Sequence, residues 1–208
     1  MTSLSRVPPG RAGRLWLRRR LATAERGHDL LQRKLRILLR EYERIAGQAE
    51  YAKTEWTVAC RRADTWLLRA ALAGGRRSLS PAPGPADVTI SWRQAMGSRY
   101  PEQAACDLPA RPDALPCSAA LIEARNACRT ALQAAVRHAA AQEAERILAS
   151  EITATRQRIR ALERHWTPRL TAAIAAIDLA LEESERFDRA RLLRTAPGRA
   201  GERRRDAR

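Results

Sequence analysis

The residue types that most often carry chemistry are few here and poorly grouped. Glu182, Glu183 and Glu185 stand close together and are candidates for paired carboxylates in acid–base work. On a helix flanked by arginines, they read instead as a solvated face with i,i+4 ion pairs. Cys60, Cys106, Cys117 and Cys128 include no C-x-x-C pair and have no histidine at ligand spacing. They read as small buried residues or idle thiols. His28 is the one polar member of an otherwise apolar stripe, which marks an interface histidine rather than a pH sensor or ligand. No P-loop, G-x-S-x-G, H-E-x-x-H or dinucleotide glycine pattern occurs. The expectation is a chain with no catalytic, cofactor-binding or metal-binding residues, and no catalysis of its own.

Charge offers a different kind of chemistry. The net charge is +16 over 208 residues, and its placement matters more than its size. Residues 1–20 carry Arg6, Arg11, Arg14, Arg18, Arg19 and Arg20 and no acid. Residues 186–208 carry nine arginines against Asp188, Glu202 and Asp206. Each end therefore holds +6, which suits either frayed, solvated termini or a site for an acidic partner surface or nucleic acid. No apolar run reaches the roughly 18 residues that a membrane span needs. The start lacks the apolar core of a secretory signal. A soluble, cytoplasmic chain without direct membrane insertion is expected.

The elements that must position these groups are long helices. Alternating steps of four and three land on Leu17, Leu21, Ala24, His28, Leu31, Leu35, Leu38, Tyr42, Ile45, Ala49, Ala52, Trp56, Ala59, Ala63, Trp66 and Ala70. That 3.5-residue repeat is the signature of a left-handed coiled coil. The pattern predicts a helix from about Arg11 to Leu72, stopped by Gly74-Gly75. Ser118 is positioned as the N-cap of a second helix reaching about Leu193. Its alanine-rich first part offers Leu121, Cys128, Leu132, Ala135 and Ala139 as a narrow stripe. Further on the seam reads Leu148, Ile152, Thr155, Ile159, Leu162, Trp166, Leu170, Ile174, Ile177 and Leu181. Three consecutive steps of four, from Leu162 to Ile174, form a stutter. Pro168 lies inside it, removes a backbone donor, crowds the carbonyl of Arg164 and predicts a kink.

Between the helices, residues 73–87 are linker-like, with Pro81, Pro83, Gly84 and Pro85. Val88 to Trp92 alternates apolar and polar as a half-buried strand would. Met96 to Tyr100, ended by Pro101, is a candidate second strand of a small hairpin. Residues 102–117 read mostly as loop.

The organisation is thus a first helix (1–72), a middle segment (73–117), a second helix (118–194) and a basic tail (195–208) expected to be disordered. The fold class is all-α. A long antiparallel two-helix coiled coil buries both seams, with a small, poorly regular middle segment as the place for a β-hairpin. The seam residues singled out are Leu17, Leu21, His28, Leu31, Leu35, Leu38, Tyr42, Ile45 and Trp56 on the first helix. Ile159, Leu162, Trp166, Leu170, Ile174, Ile177 and Leu181 face them from the second. Trp92, on the half-exposed strand, and Met96 are the candidate partner contacts.

Specific stretches of the chain resemble a known family. Val7-Pro8-Pro9 and Arg11 precede Leu17-Arg18-Arg19-Arg20-Leu21, Ala24-Glu25-Arg26-Gly27-His28 and Leu30-Leu31-Gln32-Arg33-Lys34. These are similar to the opening helix of the D subunit of the V-type and A-type ATPases and ATP synthases. Ala95 to Pro101 resembles that family's short hairpin motif. Arg158-Ile159-Arg160-Ala161-Leu162-Glu163, Thr167-Pro168-Arg169-Leu170, Ile174, Ile177 and Leu181 to Arg186 resemble its closing helix. Gly10 departs from the serine or threonine usual before Arg11, and the middle segment is richer in proline.

The resemblance implies a central rotor shaft that couples ATP hydrolysis or synthesis in a ring of subunits to a membrane ion-translocating rotor. The implied partners are the catalytic and non-catalytic ring subunits of the head, the F subunit of the stalk and a socket subunit of the membrane rotor. The implied location is peripheral to the cell membrane as part of that complex. The alternative classes are a basic nucleic-acid binder and a coiled-coil adaptor or chaperone. Against the nucleic-acid reading, the midsection is aromatic-poor and acid-balanced, with neither interleaved aromatics nor a recognition helix.

Overall fold

The computed structural model describes residues 7–74, 85–108 and 118–195. The elements are α1 (Gly10–Gly74), β1 (Asp87–Ala95), β2 (Ser98–Asp107), α2 (Ala119–Ala161), a π-helical turn (Leu162–Trp166) and α3 (Thr167–Thr195). Most of the expected proline-rich linker, the loop from 109 to 117 and the basic tail after 195 lie outside the described residues. The chain forms two compact units. One takes the chain through Leu31 and again from Arg158; the other is Gln32–Gln157.

In the unit Gln32–Gln157, α1 and α2 run antiparallel. Lys34 pairs with Glu151 at 2.7 Å, Tyr42 donates to Glu145 at 2.9 Å, and Glu55 meets Arg137 at 3.8 Å. The partner number falls as the α1 number rises. Between the helices Leu38, Ile45, Ala144, Leu148 and Ile152 form a core with Tyr100 of β2. Each such large aliphatic side chain contributes about 1.5–3 kcal/mol when taken out of water. A second core is built of alanines: Ala63 packs with Ala127 and Ala131. Small side chains there let two backbones approach closely.

The buried stripe of early α2 differs from the expected one. Ala124, Ala127, Ala131 and Ala134 are buried, whereas Leu132 is exposed and Leu121, Cys128 and Ala135 are half-buried. Leu132 and Ala139 face solvent because the stripe lies one helical position away. In an alanine-rich helix the apolar pattern is nearly uniform, and the larger residues are poor guides to the packed side. Ser118 caps α2, its Oγ accepting from the Leu121 amide at 3.3 Å.

The other unit pairs the start of α1 with α3, again antiparallel: Arg11 meets Glu185, Arg14 meets Asp178, and His28 meets Glu163. The approach to α1 is tighter than its sequence suggests. Gly10 has φ +70°, and a Cβ on Gly13 would collide with the Pro8 carbonyl oxygen. Val7 and Pro8 lie against the first turn of the helix, and only glycine at 13 admits them.

The expected kink at Pro168 takes the form of a π-turn immediately before it. The Thr167 amide donates to the Leu162 carbonyl, five residues back. In a pure α-helix each step of four overshoots a full turn by about 40°. A wider turn takes up part of that drift just where the seam steps by fours. Leu162 and Trp166 remain half-buried there, and Leu170 is buried.

β1 and β2 form an antiparallel hairpin. Met96 and Gly97 are its two-residue turn, with φ of 49° and 89°. Two positive values define a type I′ turn, whose twist matches that of the strands. Met96 is therefore a turn residue, not the start of a strand. β2 also runs through Pro101 to Asp107 instead of ending there. A bulge falls at this point: Ser91 faces Gln103 and Trp92 faces Pro101, leaving Glu102 as the extra residue. A strand tolerates proline at such a bulge because no ladder donor is demanded of it. Val88, Ile90 and Trp92 of β1 are exposed rather than half-buried.

These packing differences yield a direct comparison. Leu148→Ala is expected to lower stability by about 2–5 kcal/mol through cavity formation. Leu132→Ala, on the same helix, is expected to change it by less than about 0.5 kcal/mol. Urea unfolding followed by far-UV circular dichroism measures both.

Candidate functional site

Among the described residues no group of three or more His, Cys, Asp or Glu is arranged to hold a metal ion. No helix among them is long and apolar enough to cross a membrane. The carboxylates Glu182, Glu183 and Glu185 are all exposed. Glu182 lies 3.5 Å from Arg186, and Glu185 receives Arg11 at 3.1 Å. Two of the three carboxylates thus face arginines. The functional features are surfaces, and three of them have defined geometry.

The first is the hairpin and what anchors it. Tyr100 of β2 is fully buried, and its hydroxyl donates to Glu41 of α1. Arg44 grips the same carboxylate with two nitrogens, at 2.8 and 3.2 Å. Arg93 of β1 lies 3.5 Å from Glu41 and donates to Glu102 at 2.7 Å. Glu41 is thus held by two arginines and a phenol. The Arg44 hydrogen bonds, then that of Tyr100, lower its pKa to about 2 despite burial. Burial, then Glu41, raises the Tyr100 phenol. At the other end of the hairpin, Arg129 of α2 donates to the Leu108 carbonyl at 2.9 Å. The strands are fixed from below, while Val88, Ile90, Trp92 and Met96 stay exposed. Arg99 stacks over the Trp92 ring at 4.9 Å. Met96 holds a left-handed backbone that costs a non-glycine residue about 1–2 kcal/mol.

The second feature is His28. It sits half-buried on the inner side of α1 and reaches the π-turn, its Nε2 lying 2.8 Å from Glu163. Asp29 lies 3.7 Å from its other ring nitrogen. The Glu163 hydrogen bond is the largest cause of a raised imidazole pKa.

The third is the basic end of α1. Arg14 and Arg18 converge on Asp178 at 3.5 and 3.6 Å, and Arg11 on Glu185. Arg20 stacks on Trp16 at 4.6 Å. Much of this charge is engaged within the unit, although such exposed pairs each add little stability. Arg6 and the arginines beyond 195 lie outside the described residues.

The seam residues named from sequence fall as follows. Leu17, Leu38, Ile45, Ile159 and Leu170 are buried. Leu21, His28, Leu31, Leu35, Tyr42, Leu162, Trp166, Ile174, Ile177 and Leu181 are half-buried. Trp56 is 37% exposed and stacks on His138 with centroids 5.3 Å apart. Sequence reasoning did not single out Glu41, Arg44 or Tyr100 as a network. The only available signal was a tyrosine in the hairpin of a chain with few aromatics.

Comparison with known proteins places this arrangement. The family model described as the D subunit of ATP synthase matches residues 15–196, which takes in both helical arms and the hairpin. The chain belongs to the ATP synthase D-subunit family. It is 32% identical over 204 residues to the A-type ATP synthase D subunit of Thermococcus kodakarensis, covering 93% of this chain and 95% of that one. It is 30% identical over 203 residues to that of Pyrococcus furiosus, with the same coverage. The V-type ATP synthase D subunit of Thermus thermophilus is 31% identical over 202 residues, covering 92% and 88%. The family is one of structural stalk subunits, not themselves catalytic.

Two pH responses follow from the geometry. Glu41 has a depressed pKa, so its stabilisation is full above about 4.5 and is lost as pH falls toward 2. Trp92 fluorescence, in a variant lacking the other tryptophans, should report loosening of the hairpin in that window. Glu41→Gln should abolish the transition. His28 has the opposite sign. Its raised pKa stabilises below about 6.5, and the contribution fades as pH rises through the folded-state value. The thermal midpoint should therefore decline more steeply above pH 6.5 in the native protein than in His28→Gln.

Proposed function

We propose that this chain is the non-catalytic central-stalk rotor subunit of a V/A-type rotary ATPase or ATP synthase. It couples ATP hydrolysis or synthesis in a catalytic ring to rotation of a membrane ion-translocating rotor. Family membership across residues 15–196 carries this reading. The physical layout supports it. Torque transmission needs an element that resists untwisting, and antiparallel helices with packed seams do so better than loops. Switching of ring subunits requires a surface that interacts differently with each conformational state.

The finer assignments rest on surface chemistry. The basic end of α1, together with α3, is read as the portion facing the catalytic and non-catalytic ring subunits. Weak, exposed ion pairs such as those of Arg14 and Arg18 suit a surface that must slide rather than anchor. The hairpin is read as the contact for the F subunit of the stalk, with a socket subunit of the membrane rotor nearby. An anchored base with exposed Val88, Ile90, Trp92 and Met96 presents apolar area at little entropic cost. The strained Met96 backbone is consistent with a side chain displayed for contact. The seam residues from Leu17 to Trp56 and from Ile159 to Leu181 act as the shaft's internal packing. The location that follows is cytoplasmic and peripheral to the membrane, through the complex.

Isolation of the tagged chain from its native cell should bring down ring, stalk and rotor subunits in defined ratio. Recovery of nucleic acid without ATPase subunits would overturn the reading. Trp92→Ala combined with Met96→Ser should weaken binding of the F subunit by about tenfold or more, since anchoring aromatics often carry about 2 kcal/mol or more. Co-isolation of ring subunits should persist.

A further inference from the structure

Two thiols that the sequence marks as idle lie on either side of one small core between α1 and α2. Cys60 of α1 and Cys128 of α2 both pack against the alanine core of Ala63, Ala127 and Ala131, alongside Ala59 and Trp66. They come to it from opposite helices. Both are half-buried, so each is in packing contact yet reachable from solvent. They stand close enough for Cys60 to act electrostatically on Cys128. The alanines matter most here. A disulfide needs Cα atoms roughly 4.4–6.8 Å apart, and small side chains are what allow helices to pack closely.

We propose that Cys60 and Cys128 form a redox-responsive thiol pair that closes to an intramolecular disulfide linking α1 to α2. This goes beyond the stalk role and does not depend on it. The oxidant is a low-molecular-weight disulfide. One protein thiolate attacks it, forming a mixed disulfide and releasing one small thiol. The second protein thiolate then attacks the mixed disulfide at the protein sulfur and releases the other small thiol. Two protein S–H bonds are lost, one S–S bond forms, and the small disulfide is reduced to two thiols. Burial, then Asp64 and Cys60, holds the Cys128 thiol above its ordinary range. Closure is therefore slow at neutral pH and quickens under alkaline conditions. The reduced helix pair is the resting state, and the bond forms under sustained disulfide stress. Cys106 is buried in the hairpin and takes no part.

The test treats the folded full-length chain with glutathione disulfide at pH 8, followed by intact mass and peptide mapping under non-reducing conditions. The expected result is a loss of about 2 Da, a Cys60–Cys128 linked peptide and a thermal midpoint raised by about 5–10 °C. Dithiothreitol should reverse all three. Cys60→Ser and Cys128→Ser should each abolish the linked peptide and the shift. Stable glutathione adducts with no 2 Da loss would overturn the proposal. So would a linked peptide that joins Cys106 or Cys117 instead. Because the mass reading is made on the unmutated chain, it stands even where a serine variant folds poorly.

Discussion

The structure depends on one constraint: a narrow apolar stripe on α1 must be covered by a returning helix. A long helix with a single apolar stripe is not stable alone in water. In each compact unit the stripe is met antiparallel, by α2 in one and α3 in the other. What covers it changes along the way. Around Leu38, Ile45 and Leu148 the contact is aliphatic and bulky. Around Ala63, Ala127 and Ala131 it is made of small side chains. Side-chain volume therefore changes along the stripe, and the hairpin's Tyr100 enters where the packing is bulky.

The hairpin illustrates how a marginal element is held. Two strands alone rarely persist in water, and here β1 is almost wholly exposed. Stability comes from the buried side of β2, led by Tyr100, from an acid gripped by two arginines, and from Arg129 at the far end. Burying Glu41 without those partners would be costly, and with them its charge is locked on. The outer strand contributes Arg93 to this anchor, while Val88, Ile90 and Trp92 have no packing duty within the chain's core. Apolar residues can then stay exposed on it, as a docking surface requires.

Much of the fold was legible because its signals are periodic. A seam of sixteen positions, a capping serine and a proline inside a stutter are each local, repeated or positional. The misses have physical causes as well. Early α2 is so rich in alanine that the pattern could not say which side was packed, and Leu132 pointed the wrong way. Gly13 is dictated by the close approach of Pro8, a contact that no periodicity encodes. Val88 to Trp92 alternates like a half-covered strand, yet alternation reports two different faces, not which of them has a partner within the same chain. Glu41 and Tyr100 are brought together across 59 positions, and long-range polar networks leave no trace in spacing.

The π-turn before Pro168 ties several of these features together. A proline inside a helix usually breaks it or bends it at the proline itself. Here the missing donor is preceded by a wider turn, and the seam spacing lengthens to four over the same residues. Backbone irregularity and side-chain spacing compensate, so Leu162, Trp166 and Leu170 keep their inward orientation. His28 fastens α1 to this turn through Glu163, giving one seam position over to a polar latch between helices. A stiff helix pair would transmit a twist uniformly. One widened turn, contacted by His28 through Glu163, makes the seam non-uniform at a single level.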